Sequence, residues 1–155
     1  MDELKEELNK DRFRVAIFGS ARLKEDSPEY YQVFNLARLI ASAEIDLVTG
    51  GGPGLMEAAS KGFHEGKENV ALRSIGLNIK LPDKQRFAAH LDVKNEFDLF
   101  SERLDSFADL DLIYLTKDCV ETFAVLQESY NDFRSGGTQF CRTYKKFRPN
   151  SHTAQ

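Results

Sequence analysis

At 155 residues, 41% hydrophobic and 30% charged, the chain is long enough to bury one core without staples and is expected to form a single ordinary globular domain. No apolar run is long enough to span a membrane, and Met1-Asp2-Glu3-Leu4-Lys5-Glu6-Glu7 is acidic and helical rather than basic then apolar, so a cytoplasmic protein is expected. The net charge of −4 hides an asymmetry: residues 134–155 carry five bases and no acid, which leaves 16 bases against 25 acids, or −9, over residues 1–133. Such a body repels a nucleic-acid backbone, whereas the tail attracts one.

In chain order, residues 2–11 read as a short charged helix, and Arg14-Val15-Ala16-Ile17-Phe18 as a buried parallel strand that ends in the small-residue loop Gly19-Ser20-Ala21-Arg22. Ser27-Pro28-Glu29-Tyr30 supplies an N-cap with Pro at the first helical position, and the apolar spacing of Tyr31, Phe34, Leu36, Ala37, Leu39 and Ile40 carries that helix to about Ala43. A strand over Ile45 to Val48 leads into the glycine cluster Gly50-Gly51-Gly52-Pro53-Gly54 and then a helix in which Leu55, Ala58, Ala59 and Phe63 recur at helical spacing. Val70 to Ile79 reads as a third strand, Leu81 to Ala89 as loop, Leu91 to Phe97 as a fourth strand, Phe100 to Leu110 as a helix, Asp111 to Leu115 as a fifth strand and Val120 to Phe133 as a helix. The alternation predicts an α/β fold, a parallel sheet with helices on both faces, whose ligands sit at the carboxyl ends of the strands, where both small-residue loops fall.

The glycine cluster carries the chemistry. Glycines accept positive φ and let backbone N–H groups approach a ligand, and the following helix adds free N–H groups and the positive end of its dipole; together these suit an anion, most often phosphate. The loop has no Lys-Ser/Thr pair of a triphosphate loop, and Glu57 stands where the dinucleotide fingerprint needs a third glycine after Gly52 and Gly54. The alternative is a glycine turn that serves packing alone. Cys119 and Cys141 have no metal-ligand spacing and are too few for a disulfide scaffold, and His64, His90 and His152 are scattered in sequence, so no metal or redox cofactor is expected.

Phe18-Gly19-Ser20-Ala21-Arg22, then Thr49-Gly50-Gly51-Gly52-Pro53-Gly54-Leu55-Met56-Glu57-Ala58-Ala59, then Arg73-Ser74-Ile75-Gly76-Leu77-Asn78-Ile79, resemble the LOG family of lysine decarboxylase-like Rossmann proteins over about residues 12–133. The resemblance implies a homodimeric Rossmann-like domain over residues 1–133 that binds a nucleoside 5'-monophosphate such as AMP and hydrolyses its N-glycosidic bond to free base and ribose 5-phosphate. It further implies substrate binding by Gly19, Ser20, Thr49, Gly50, Gly51, Gly52, Gly54, Met56 and Thr122, and a catalytic role for Arg103 in Phe100-Ser101-Glu102-Arg103-Leu104-Asp105-Ser106-Phe107. Taken by itself, Arg103 reads as an exposed helical side chain pairing with Glu102 or Asp105, and only the resemblance favours the catalytic role.

Two departures stand out. The family motif Pro-Gly-Gly-x-Gly-Thr-x-x-Glu, which supplies the catalytic glutamate, falls on Lys117 to Val125: its glycines become Asp118, Cys119 and Glu121, and its glutamate becomes Val125, or Ala124 in the neighbouring match. Acids at that helix start satisfy the dipole themselves and repel phosphate; Glu121 and Glu128 are the only nearby substitutes and read more simply as cap and surface charges. Where family members continue with further strand and helix, residues 134–155 form a basic, polar stretch without periodicity, expected to be disordered or loosely docked. Three functions therefore compete: an active phosphoribohydrolase, a non-catalytic nucleotide-binding or cofactor-carrier protein of the same fold, with a molybdenum-cofactor carrier as one form, and a single-stranded DNA binder. The acidic body argues against the last, which only the tail with Phe140, Tyr144 and Phe147 supports.

Overall fold

The computed structural model describes residues 2–80, 86–98 and 119–137. Helix α1 spans Asp2–Leu8, strand β1 Arg14–Ile17, helix α2 Pro28–Ser42, strand β2 Asp46–Thr49, helix α3 Leu55–Gly66, strand β3 Ser74–Ile79, strand β4 Val93–Phe97 and helix α4 Cys119–Arg134. The expected helix and strand over Phe100 to Leu115 lie outside the described residues. The chain divides into two units, residues 1–108 and 109–155, with α4 in the second.

In the first unit the four strands pair in parallel in sequence order, β1-β2-β3-β4. Register follows the hydrophobic pattern: Ala16 pairs with Val48, Val48 with Ile75 and Ile75 with Val93. Alternation then sends Val48, Ile75, Leu77 and Val93 to one face, where they form a core with Leu4 of α1 and the flanking Leu8 and Phe97. The other face takes α2 and α3, since right-handed crossovers between neighbouring parallel strands land on the same side. Helices thus cover both faces, as the alternation of elements predicts.

Helices α2 and α3 run in the same direction and almost touch. A Cβ at Gly62 would meet the Phe34 carbonyl and one at Gly66 the Arg38 carbonyl, so two glycines one turn apart let the α2 backbone ride on α3. Each pair is offset by 28 residues, and towards the amino ends the charge of Glu57 in α3 acts on Tyr30 of α2. Phe63 and Ile40 are fully buried in this layer, each worth about 1.5–3 kcal/mol by apolar transfer.

Strand β3 begins at Ser74 rather than Val70. Asn69 holds the preceding residues in a turn, its side-chain Oδ1 accepting from Ala71 N at 2.9 Å and its carbonyl from Leu72 N at 3.2 Å, and Val70 is 85% exposed. The amino edge of the sheet is closed by charge. Asp46, 1% exposed, accepts from Arg73 N at 2.8 Å, and its second oxygen lies 3.1 Å from Arg12 Nε, an ion pair without hydrogen-bond alignment. Burial lifts its carboxyl above the ordinary value of 3.8, against the pull of the Arg73 N–H, Arg12 and Arg14. In the second unit, α4 stops where the sequence turns to Ser135-Gly136-Gly137: Gly136 takes φ +77 and Gly137 N donates to the Asp132 carbonyl at 2.9 Å.

Candidate functional site

The loops after β1 and β2 leave from adjacent strand ends, because Ile17 pairs with Thr49. They lock together through the glycines. A Cβ at Gly19 would lie 2.6 Å from Leu55 Cβ, and one at Gly54 would meet the Ser20 carbonyl and Ala21. Gly54 also has φ 71 and ψ −129, a conformation that glycine alone adopts readily. Leu55 N donates to the Ser20 carbonyl at 3.0 Å, and Ser20 Oγ accepts from Arg22 N at 3.2 Å.

On its other side the glycine loop rests on β3 and the segment before β4. Gly51, at φ +70, donates its N–H to Thr49 Oγ1 at 3.1 Å and accepts from Ala88 N at 2.8 Å. A Cβ there would lie 3.2 Å from both Gly76 Cα and the Phe87 ring. Packing therefore accounts for Gly19, Gly51, Gly54 and Gly76. It does not account for the donors they leave behind.

A helix start presents four N–H groups without intrahelical partners. At α3 these belong to Gly54, Leu55, Met56 and Glu57; Ser20 takes Leu55, and no side chain caps the helix. The N–H groups of Gly52, Gly54, Met56 and Glu57 have no hydrogen-bond partner among the described residues. Buried backbone N–H groups are nearly always paired, and Gly52, Gly54 and Met56 are buried. Four unpaired donors at the positive end of a dipole can accept an anion. Glu57, in the first turn, is the charge that opposes one.

Of the sequence candidates, Gly19, Ser20, Thr49, Gly50, Gly51, Gly52, Gly54 and Met56 come together at this carboxyl edge of the sheet, with Thr49 fully buried as the turn's anchor. Thr122 stands half-buried in the first turns of α4, in the second unit, beside Glu121. Arg103 lies outside the described residues, as do Lys117, Asp118, Cys141 and His152. Glu128 is exposed on α4.

Sequence reasoning missed the buried polar atoms that lack a partner, two of which bear on this part of the molecule. The Tyr30 hydroxyl and Asn78 Nδ2 are shielded from solvent without a hydrogen-bond partner, and only the packing of other elements around them makes them so. His64 and His90, far apart in sequence, stack with ring centroids 4.9 Å apart. No group of three metal-ligating side chains occurs among the described residues, and none of their helices is long and apolar enough to cross a membrane. A depression of about 390 Å³ lined by Ala41, Ser42, Glu44, Glu68 and Asn69 lies at the opposite, amino edge of the sheet. Its two carboxylates suit it poorly to an anion.

Parallel strands, helices on both faces and glycine-rich loops at the strands' carboxyl ends define a Rossmann-like α/β protein. The chain belongs to the SLOG cluster4 family, whose profile matches residues 12–92, just over half its length. Two structures of the molybdenum cofactor carrier protein from Chlamydomonas reinhardtii share the fold, with TM-scores of 0.54 and 0.53 at 17% and 16% identity, over 77% and 76% of this chain and 97% of theirs. The molybdenum cofactor binding protein from the phototrophic bacterium Rippkaea orientalis aligns at 23% identity over 56% of this chain with a TM-score of 0.42, and this chain spans about half, 49%, of that protein's length. No curated protein matches the sequence.

Proposed function

We propose that the chain binds a nucleoside 5'-monophosphate, with the phosphate on the N–H groups of Gly52, Gly54, Met56 and Glu57, and that it acts as a binding protein rather than as an efficient hydrolase. The observation that carries the reading is the uncapped start of α3, where packing explains Gly19, Gly51 and Gly54 but not the unpaired donors. Against hydrolysis stands the loss of the carboxylate: Val125 or Ala124 occupies the position that the resemblance assigns to it, and losing such a group costs orders of magnitude in rate. The homodimer that the resemblance implies is part of the proposal and is checked by light scattering.

Calorimetric titration with AMP of the parent chain and of Gly52→Asp tests the reading. Gly52 is not at positive φ, so the variant sets a carboxylate among the donors without the strain that Gly54 would suffer. Saturable binding that Gly52→Asp abolishes supports the site; equal binding by both sinks it. Titration with a molybdenum cofactor, the ligand that the two similar proteins are named for, distinguishes a cofactor carrier from a nucleotide binder.

Hydrolysis is the second reading, favoured by the match at Arg103. Incubation with AMP and chromatographic detection of adenine, with Arg103→Ala as control, decides it. Release that disappears in the control establishes the hydrolase and means that another carboxylate replaces the lost one.

A further inference from the structure

Strand β3 runs from Ser74 to Ile79 directly after Arg73, and the two ends of this stretch serve different edges of the sheet. At the amino edge, Arg73 N and Ser74 N donate to Asp46 and Asp92 carboxylates, each at 2.8 Å. At the carboxyl edge stands Asn78, 4% exposed. Its Oδ1 accepts from Ile79 N at 2.9 Å, which fixes the amide and leaves Nδ2 as a buried donor without a partner. A buried amide N–H left unpaired loses its hydration without compensation.

The direction of Asn78 follows from strand alternation. Ile75 and Leu77 point into the core under α1, so Ser74, Gly76 and Asn78 point to the face that carries α2 and α3. Gly76, on that face, touches Gly51 of the glycine loop. Asn78 is the next residue outward on the same face, at the strand ends where the loop lies. The half-buried Phe87 ring lies against Gly51 of the same loop, held by the Ala88 N–H to Gly51 carbonyl bond.

We propose that Asn78 Nδ2 donates to the part of the ligand beyond the phosphate, a ribose oxygen or a ring nitrogen of the base, so that the site prefers a nucleoside monophosphate to phosphate alone. The inference rests on the reading that the loop holds phosphate at α3. Strand β3 neighbours β2 at a spacing of about 4.8 Å, so a ligand anchored at the start of α3 that extends across β3 brings its sugar and base, not its phosphate, to Asn78. The apolar Phe87 ring supplies a surface for a flat heterocycle.

Titrations of AMP and of inorganic phosphate into the parent chain, Asn78→Leu and Asn78→Asp, with thermal melting of each free protein, test the proposal. Leu keeps the volume and removes the donor; Asp keeps the Oδ1 acceptor for Ile79 N if the leucine variant does not fold. Loss of one ligand hydrogen bond weakens AMP about tenfold, with phosphate affinity unchanged for Asn78→Leu and its melting temperature close to the parent's. Unchanged AMP affinity in both variants overturns the inference and leaves the phosphate reading standing. Equal losses for AMP and phosphate with a lowered melting temperature overturn it by making Asn78 structural. No binding of AMP to the parent overturns both.

Discussion

Helices α2 and α3 start side by side, point the same way and carry the same kind of dipole, yet only one start is open. Ser27 closes α2: its Oγ accepts from Tyr30 N at 3.2 Å, its carbonyl from Tyr31 N at 3.3 Å, Pro28 brings no donor, and Glu29 answers the dipole. The Gly54 carbonyl likewise accepts from Ala58 N at 3.0 Å, but Gly54 has no side chain to cap α3, and the one first-turn donor that is satisfied there, Leu55 N, goes to the Ser20 carbonyl of the neighbouring loop. The dipole is common to both starts, so it does not select the site. What differs is whether the chain provides its own acceptors, and at α3 the glycine that permits the tight loop is also the residue that cannot cap.

The largest expected effect comes from breaking the open start. Gly54→Ala forces an L residue into φ 71, ψ −129 and drives a methyl into the Ser20 carbonyl, so urea unfolding should show a loss of about 2–4 kcal/mol together with loss of AMP binding. Breaking the closed start should do less and do it differently. Ser27→Ala removes an N-cap and lowers stability by about 1 kcal/mol, while AMP affinity stays as it was. A Ser27 variant that lost affinity along with stability would merge the two starts and undo the distinction. Glu57→Gln sharpens it from the ligand's side. Removing a negative charge from the first turn of α3 should tighten AMP by about threefold at low salt and less at high salt, read by titration at two ionic strengths; an unchanged or weaker affinity would mean that the anion does not sit there.

How much of this was legible in the sequence depends on whether the cause is local. Ser27-Pro28 reads correctly as a helix start because capping is settled within four residues, and the body of β2 and of β3 reads as strand because burial on both faces makes each a largely apolar run. The start of β3 misleads because Val70 and Ala71 are apolar while Asn69 holds them in a turn. The glycine loop was legible as a turn at a helix start, but not the reason for each glycine: Gly54 answers to Ser20 and Ala21, and Gly51 to Gly76 and Phe87, over 30 residues apart in the first case and 25 or more in the second. Asn78 and Tyr30 look like any strand or helix residue until their neighbours close around them. Arg73, part of the segment that carries the family resemblance, turns out to serve the amino edge rather than the loop.

Tyr30 stands between the two starts and sets the finest test of how they differ. It faces the first turn of α3, is 3% exposed, and its hydroxyl has no hydrogen-bond partner. Burial first, then the negative charges of Glu25 and Glu57 and the neighbouring Tyr31, push its pKa from 10.0 up to about 12. Because the folded value is the higher one, the contribution is fully present below pH 10 and is lost as pH rises from 10 through 12, where the unfolded chain releases a proton that the folded chain still holds. Melting temperature should therefore fall more steeply with pH above 10 in the parent than in Tyr30→Phe. At pH 7 the phenylalanine variant should match the parent within about 1 kcal/mol, since it deletes a hydroxyl that bonds to nothing, and it should bind AMP as the parent does. A clear loss of stability at pH 7 would show that the hydroxyl has an acceptor, and Glu57 is the α3 carboxylate whose charge acts on it. In that case the first-turn acid of α3 would be held by α2, and the open start would owe part of its openness to the closed one.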